Sequence, residues 1–136
     1  VEPCERAMIE NPTNLAFMNC AVENLLYYLS ERCADRIFLN FSCPYPKYTY
    51  RNRRLTYYRY LEIYKKLLTD NGEIHFKTDN RKFFEFSLQS FSENGYKIKN
   101  VSLDLHADDY PDNVTTEYED MFVSLGKPIY RLEAYL

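Results

Sequence analysis

The stretch that most constrains the fold is Asp35–Thr56, DRIFLNFSCPYPKYTYRNRRLT. An apolar run, Ile37-Phe38-Leu39 with Phe41, reads as a buried strand that ends at Ser42. Pro44 and Pro46 follow, two prolines in three residues, and forbid both helix and regular ladder pairing. The chain then turns basic and aromatic together through Lys47, Tyr48, Tyr50, Arg51, Arg53 and Arg54. A strand that runs into a stiff loop and a basic arm is how an open α/β sheet builds a site at the carboxyl end of a strand.

The rest of the chain alternates strand and helix around that stretch. Glu5–Glu10 reads as a short helix stopped by Asn11-Pro12, and Leu15–Met18 as a short buried strand. Val22–Arg32 has helical spacing, with Val22, Leu25, Leu26 and Leu29 on one face. Leu55–Thr69 is the clearest helix, with Thr56 as N-cap and Asn71-Gly72 as stop. Its buried stripe is Tyr57, Leu61, Tyr64 and Leu68. Glu73–Thr78 is a strand, and Asp79 or Asn80 caps a helix that carries Phe84, Leu88 and Phe91 on one face and ends at Gly95. Lys97–Leu105 alternates at Val101, Leu103 and Leu105, which reads as a strand with one wet face. Thr116–Leu125 is a short helix closed by Gly126, and Ile129–Leu136 an edge strand or final hairpin that pairs antiparallel with the strand before it. The class is α/β with a largely parallel sheet, in one domain of 136 residues.

Charge is distributed unevenly. The net charge is −3, yet Lys47–Lys66 holds seven of the seventeen basic residues and one acid, while Asp104–Asp120 holds seven acids and no Lys or Arg. This suits a basic surface for a polyanion beside a separate acidic patch, or simply two solvated faces. The four cysteines, Cys4, Cys20, Cys33 and Cys43, form no C-x-x-C pair, and only His75 and His106 could join them as ligands, so no metal site is expected. No signal peptide and no apolar run of membrane length is seen, so a cytoplasmic protein with reduced thiols and no membrane partner is expected.

Three stretches could carry chemistry. Cys43–Arg54 offers rigid loop backbone, cations for phosphate and rings for unpaired bases; the alternative is a solvated basic loop. Lys77-Thr78-Asp79-Asn80 places a carboxylate just past a strand, where it can accept a ligand's N–H groups; the alternative is a helix cap. Thr116-Glu117-Tyr118-Glu119 matches a capping box, and the same atoms could hold the donor edge of a guanine. Three glycines, none beside another, exclude a glycine-rich cofactor cradle within these residues.

Taken together, RIFLNFSCPYPK with RNRRLT, GEIHFKTDNR, FEFSLQSFSENG, VSLDLHA, NVTTEYE and GKPIYRLEA resemble the bacterial tRNA (guanine-N7-)-methyltransferase family from about Leu15 to Ala134. The resemblance implies a Rossmann-like class I methyltransferase sheet, largely parallel with an antiparallel last strand. It also implies S-adenosylmethionine as cofactor and a guanine in the variable loop of tRNA as target. It places Lys47, Asp79 and Thr116, Glu117, Tyr118 and Glu119 at substrate-contacting positions, and Arg53 and Arg54 in the basic arm. On the cofactor side it places Glu2, Cys20, Ala21 and Cys43, the last also being the family's acidic active-site position. The departures are Cys20 and Cys43 where the family has aspartates, and Tyr45 where it has Trp. The family's first strand and glycine-rich cofactor loop are not in this sequence, so an N-terminally truncated, partial methyltransferase domain is expected, with a non-catalytic tRNA-binding relative as the alternative.

Overall fold

The computed structural model describes residues 2–108 and 110–136. Its centre is a four-stranded sheet of β1 (Ala34–Asn40), β2 (Leu68–Thr78), β3 (Lys97–Ser102) and β4 (Tyr130–Tyr135), in the spatial order β1-β2-β4-β3. β1 and β2 are parallel, and β4 runs antiparallel to both β2 and β3. Three strands therefore share one direction and the last is reversed.

The two-residue period of the strands sorts side chains into rows across the sheet. One face carries Leu39 opposite Phe76 opposite Leu132, and Ile37 opposite Ile74 opposite Ala134. These rows pack under α3 (Tyr58–Leu67) and α4 (Arg81–Glu93), where Leu61, Tyr64, Phe83, Phe84 and Phe91 are almost fully buried. Each such side chain contributes about 1.5–3 kcal/mol by leaving water. The other face is charged: Phe38 faces His75, Glu133 and Lys99, while Asn40 faces Lys77, Arg131 and Ser102. Glu73, His75 and Glu133 bring donor atoms within 4.8 Å of one another there, but Arg36, Lys99 and Arg131 already neutralise both carboxylates.

Several sequence expectations change. Leu15–Met18 is irregular and exposed, because among the described residues no strand lies beside it to take its backbone bonds. Val22–Arg32 forms only a 3₁₀ turn (Val22–Asn24) and a single turn of helix, α2 (Leu25–Tyr28). α3 begins at Tyr58, since the Thr56 hydroxyl bonds Ser87 Oγ at 2.8 Å instead of capping the helix, and it ends at Leu67: Leu68 and the expected stop Asn71-Gly72 lie within β2. β4 is interior, between β2 and β3, because its apolar face completes both core rows. In β3 a left-handed Asn100 (φ 53°) inserts an extra residue against β4 and breaks the alternation. β3 ends at Ser102; Val101 and Leu103 are exposed, and only Leu105 is buried. The remaining helices are α1 (Glu2–Glu10) and α5 (Glu117–Ser124). No helix among the described residues is long and apolar enough to cross a membrane.

Candidate functional site at the strand ends

The carboxyl ends of β1 and β2 lie side by side. Asn40 pairs with Lys77, and the Phe41 N–H donates to the Lys77 carbonyl at 3.0 Å before a left-handed φ of 54° turns the chain away. Cys43 and Lys47 are both exposed on the loop that follows. Tyr45 is a second left-handed residue, with φ 43°. Ser42 Oγ is buried with no hydrogen-bond partner in the protein. A buried hydroxyl left unpaired is costly, and it suits a strand end that receives a polar ligand.

The basic arm is a 3₁₀ helix, Tyr48–Arg53. Its three-residue turn stacks Arg51 over Tyr48 at 4.1 Å and Arg53 over Tyr50 at 4.4 Å. Arg53 stays exposed, whereas Arg54 is only 8% exposed. Its Nε donates to the Pro44 carbonyl at 2.9 Å, and its Nη2 donates to the Tyr45 carbonyl at 3.0 Å. Burial, and then the charge of Arg51, pulls the Arg54 pKa below the usual guanidinium range.

At the end of β2 the cap falls to Asn80, whose side chain accepts from the Phe83 N–H at 2.9 Å. Asp79 is thereby freed from capping and sits half-buried at the same strand end as Cys43.

Thr116 caps α5, accepting from the Glu119 N–H at 3.2 Å. The reciprocal half of a capping box is absent, because the Glu119 side chain turns inward and is fully buried. Lys77 Nζ donates to its Oε1 at 2.6 Å, Asn113 Nδ2 donates to Oε2 at 2.9 Å, and His106 Nε2 lies 2.7 Å from Oε2. Burial pushes the Glu119 pKa up, but the bonds from Lys77 and Asn113, the Lys77 charge and the His106 bond outweigh it, so the net shift is downward. Lys77 also donates to the Val114 carbonyl at 2.9 Å, which ties the 113–119 segment to β2. Glu117 and Tyr118 remain exposed, and Tyr118 stacks on Phe122, which in turn packs against Phe41.

The sites expected from sequence thus divide. Cys43 lies just past the end of β1 and Asp79 follows β2 directly, these two strand ends being paired at Asn40 and Lys77, and the Thr116–Glu119 segment is tied to β2 through Lys77. Glu2 lies on α1, where it and Phe17 face Glu117 and Tyr118 across a groove of about 540 Å³. Cys20 is half-buried, and Ala21 precedes the first 3₁₀ turn. Sequence reasoning missed Ser42, His106 and Asn113. Ser42 was detectable only by its place at the strand terminus.

The sequence model of the family described as "Putative methyltransferase" matches residues 2–132. The tRNA (guanine-N(7)-)-methyltransferase of Streptococcus equi subsp. zooepidemicus (strain MGCS10565) is 49% identical over 130 residues, covering 96% of this chain and 62% of that protein. The protein of the same name from Geobacillus sp. (strain WCH70) is 51% identical over 127 residues, covering 93% and 58%. The chain therefore spans about three fifths of the length of these relatives. Among solved structures, precorrin-6y C5,15-methyltransferase from Geobacter metallireducens GS-15 superposes with a TM-score of 0.61 at 12% identity, covering 97% of this chain and 58% of that one. The shared feature is the fold.

Proposed function

Because the chain belongs to that methyltransferase family, we propose that it forms the strand-end, substrate-side part of an enzyme that transfers a methyl group from S-adenosylmethionine to N7 of a guanine in tRNA. One observation supports the reading: β1 and β2 end side by side, so the loop bearing Cys43 and Lys47 and the turn bearing Asp79 leave neighbouring strand ends, and Lys77 anchors the Thr116–Glu119 segment to β2. Identity near 50% to proteins named for this reaction supports it. The work is cytoplasmic, where tRNA is available.

Guanine N7 carries a free lone pair, so no base need remove a proton. S-adenosylmethionine, when bound, supplies a methyl sulfonium that is already a strong electrophile. What falls to the protein is alignment and electrostatics. The unpartnered Ser42 hydroxyl beside Cys43 fits a bound polar ligand, and Cys20, Ala21 and Glu2 would form the rest of this chain's contribution to that side. Asp79 accepts from the guanine's donor edge, and the exposed Glu117 and Tyr118 are free to contact the same substrate. Glu119 holds that segment in place, since both its oxygens are occupied. Lys47 and Arg53 meet phosphate. Cys43 keeps the shape of the family's acidic position without its charge.

The test uses the intact protein with tRNA and S-adenosylmethionine, reading N7-methylguanosine by mass spectrometry after digestion. Asp79→Ala should lower kcat/KM about 10- to 100-fold, the loss of hydrogen bonds to a charged group. Cys43→Asp should raise turnover. No N7-methylguanosine from the intact wild-type protein overturns the reading, and an unchanged rate for Cys43→Asp overturns the role of position 43.

A further inference from the structure

We propose that Arg54 is a positioning residue, whose guanidinium clamps the Pro44–Tyr45 turn and so fixes where Cys43 and Lys47 stand. Its consequence for turnover rests on the methyl-transfer reading; the clamp itself rests on geometry alone.

Neither Pro44 nor Pro46 has an N–H to close the turn, and Tyr45 holds a left-handed conformation that an L-residue keeps only when its surroundings impose it. The Arg54 fork supplies the missing donors to two successive carbonyls. Its plane lies over the Phe86 ring of α4 at 4.6 Å. The residues just after it are anchored as well: Tyr64 OH donates to the Leu55 carbonyl at 2.9 Å, and Thr56 bonds Ser87 of α4. α4 begins at Arg81, two residues after Asp79, and is capped by Asn80. Arg54 therefore joins the loop bearing Cys43 to the helix that follows Asp79. A guanidinium turned out to meet phosphate would release both carbonyls and vacate the Phe86 face. Arg53, exposed and stacked on Tyr50, has no such duty.

Three readouts on the intact protein separate a clamp from a phosphate contact. Tryptic cleavage of the Lys47–Tyr48 bond reports local opening of the turn. It should quicken about 5-fold or more in Arg54→Ala and stay at the wild-type rate in Arg53→Ala. The salt slope of tRNA binding should fall by about one in Arg53→Ala and hold in Arg54→Ala and Arg54→Gln. In steady-state methylation, Arg54→Ala should lose about tenfold in kcat with KM within about twofold. Arg54→Gln, which keeps amide donors on a neutral side chain, should restore part of the protease resistance and guards against misfolding of the alanine variant. A slope lowered by about one in Arg54→Gln, with cleavage at the wild-type rate, would make Arg54 a phosphate contact and overturn the clamp. Should the wild-type protein transfer no methyl group, the functional reading fails while the proteolysis still decides the clamp.

Discussion

Removing the Lys77 ammonium should destabilise the fold far more than removing a surface cation. Glu119 is fully buried, and the Lys77 side chain that pairs with it is 9% exposed. Lys77→Met leaves the carboxylate inside with only Asn113 and His106. Breaking a buried pair by deleting one partner costs about 3–5 kcal/mol, because the remaining charge is uncompensated. For a chain of 136 residues that corresponds to a fall of roughly 10–15 °C in Tm. The comparison pair is Arg81–Glu85, with side chains 75% and 59% exposed. There Arg81→Ala should cost no more than about 0.5 kcal/mol.

Denaturant unfolding of Lys77→Met, Glu119→Gln and the double variant measures the coupling. The double variant should cost at least about 2 kcal/mol less than the sum of the singles, because each single leaves a polar group stranded that the double does not. The pH dependence has a definite sign. Glu119 titrates below the ordinary 4.5 when folded. Its contribution is therefore fully present above the unfolded value and is lost as pH falls through the lower folded one. The stability gap between wild type and Glu119→Gln should narrow on acidification. A cost below about 1 kcal/mol for Lys77→Met, or a gap that widens toward acid, would refute the account of this pair.

Two further variants test the sheet. At Gly72 a Cβ would lie 2.8 Å from Leu68 Cδ2 and 3.1 Å from the Ala34 carbonyl, so Gly72→Ala should cost about 1–3 kcal/mol in urea unfolding. Past the Asn100 bulge, Leu105→Ala should cost about 2–5 kcal/mol and Leu103→Ser less than about 0.5, in thermal or denaturant melts.

What the sequence conveys well is whatever depends on period and punctuation. The strand at 37–40, the buried Leu61 and Tyr64 of α3, the Gly95 stop (φ 85°) and the Thr116 cap all follow from local spacing and local chemistry. The failures are non-local. Thr56 has every local reason to cap a helix, yet Ser87, 31 residues away, takes its hydroxyl. Leu103 keeps the alternation of a buried strand, yet β3 bulges at Asn100 and ends at Ser102, and Leu103 stands exposed. Ile129–Leu136 looks like an edge because it is last in the chain, but strand order is decided by which faces complete the core rows.

The site shows the same limit more sharply. Arg53 and Arg54 are adjacent and chemically identical, and in sequence both count as one more positive charge on a basic arm. Their roles separate only when the Pro44–Tyr45 carbonyls come within 3 Å of one guanidinium and not the other. Glu117 and Glu119 divide in the same way, one exposed and one spent on Lys77, Asn113 and His106. Charge in a sequence counts the groups available to a polyanion or a donor edge. How many are free to act depends on which backbone carbonyls and buried ions the fold leaves unpaired, and those must be satisfied before any ligand is. At this strand end the fold has used Arg54 and Glu119 on itself, which leaves Lys47, Arg53, Asp79 and Glu117 among the groups with charge to spare.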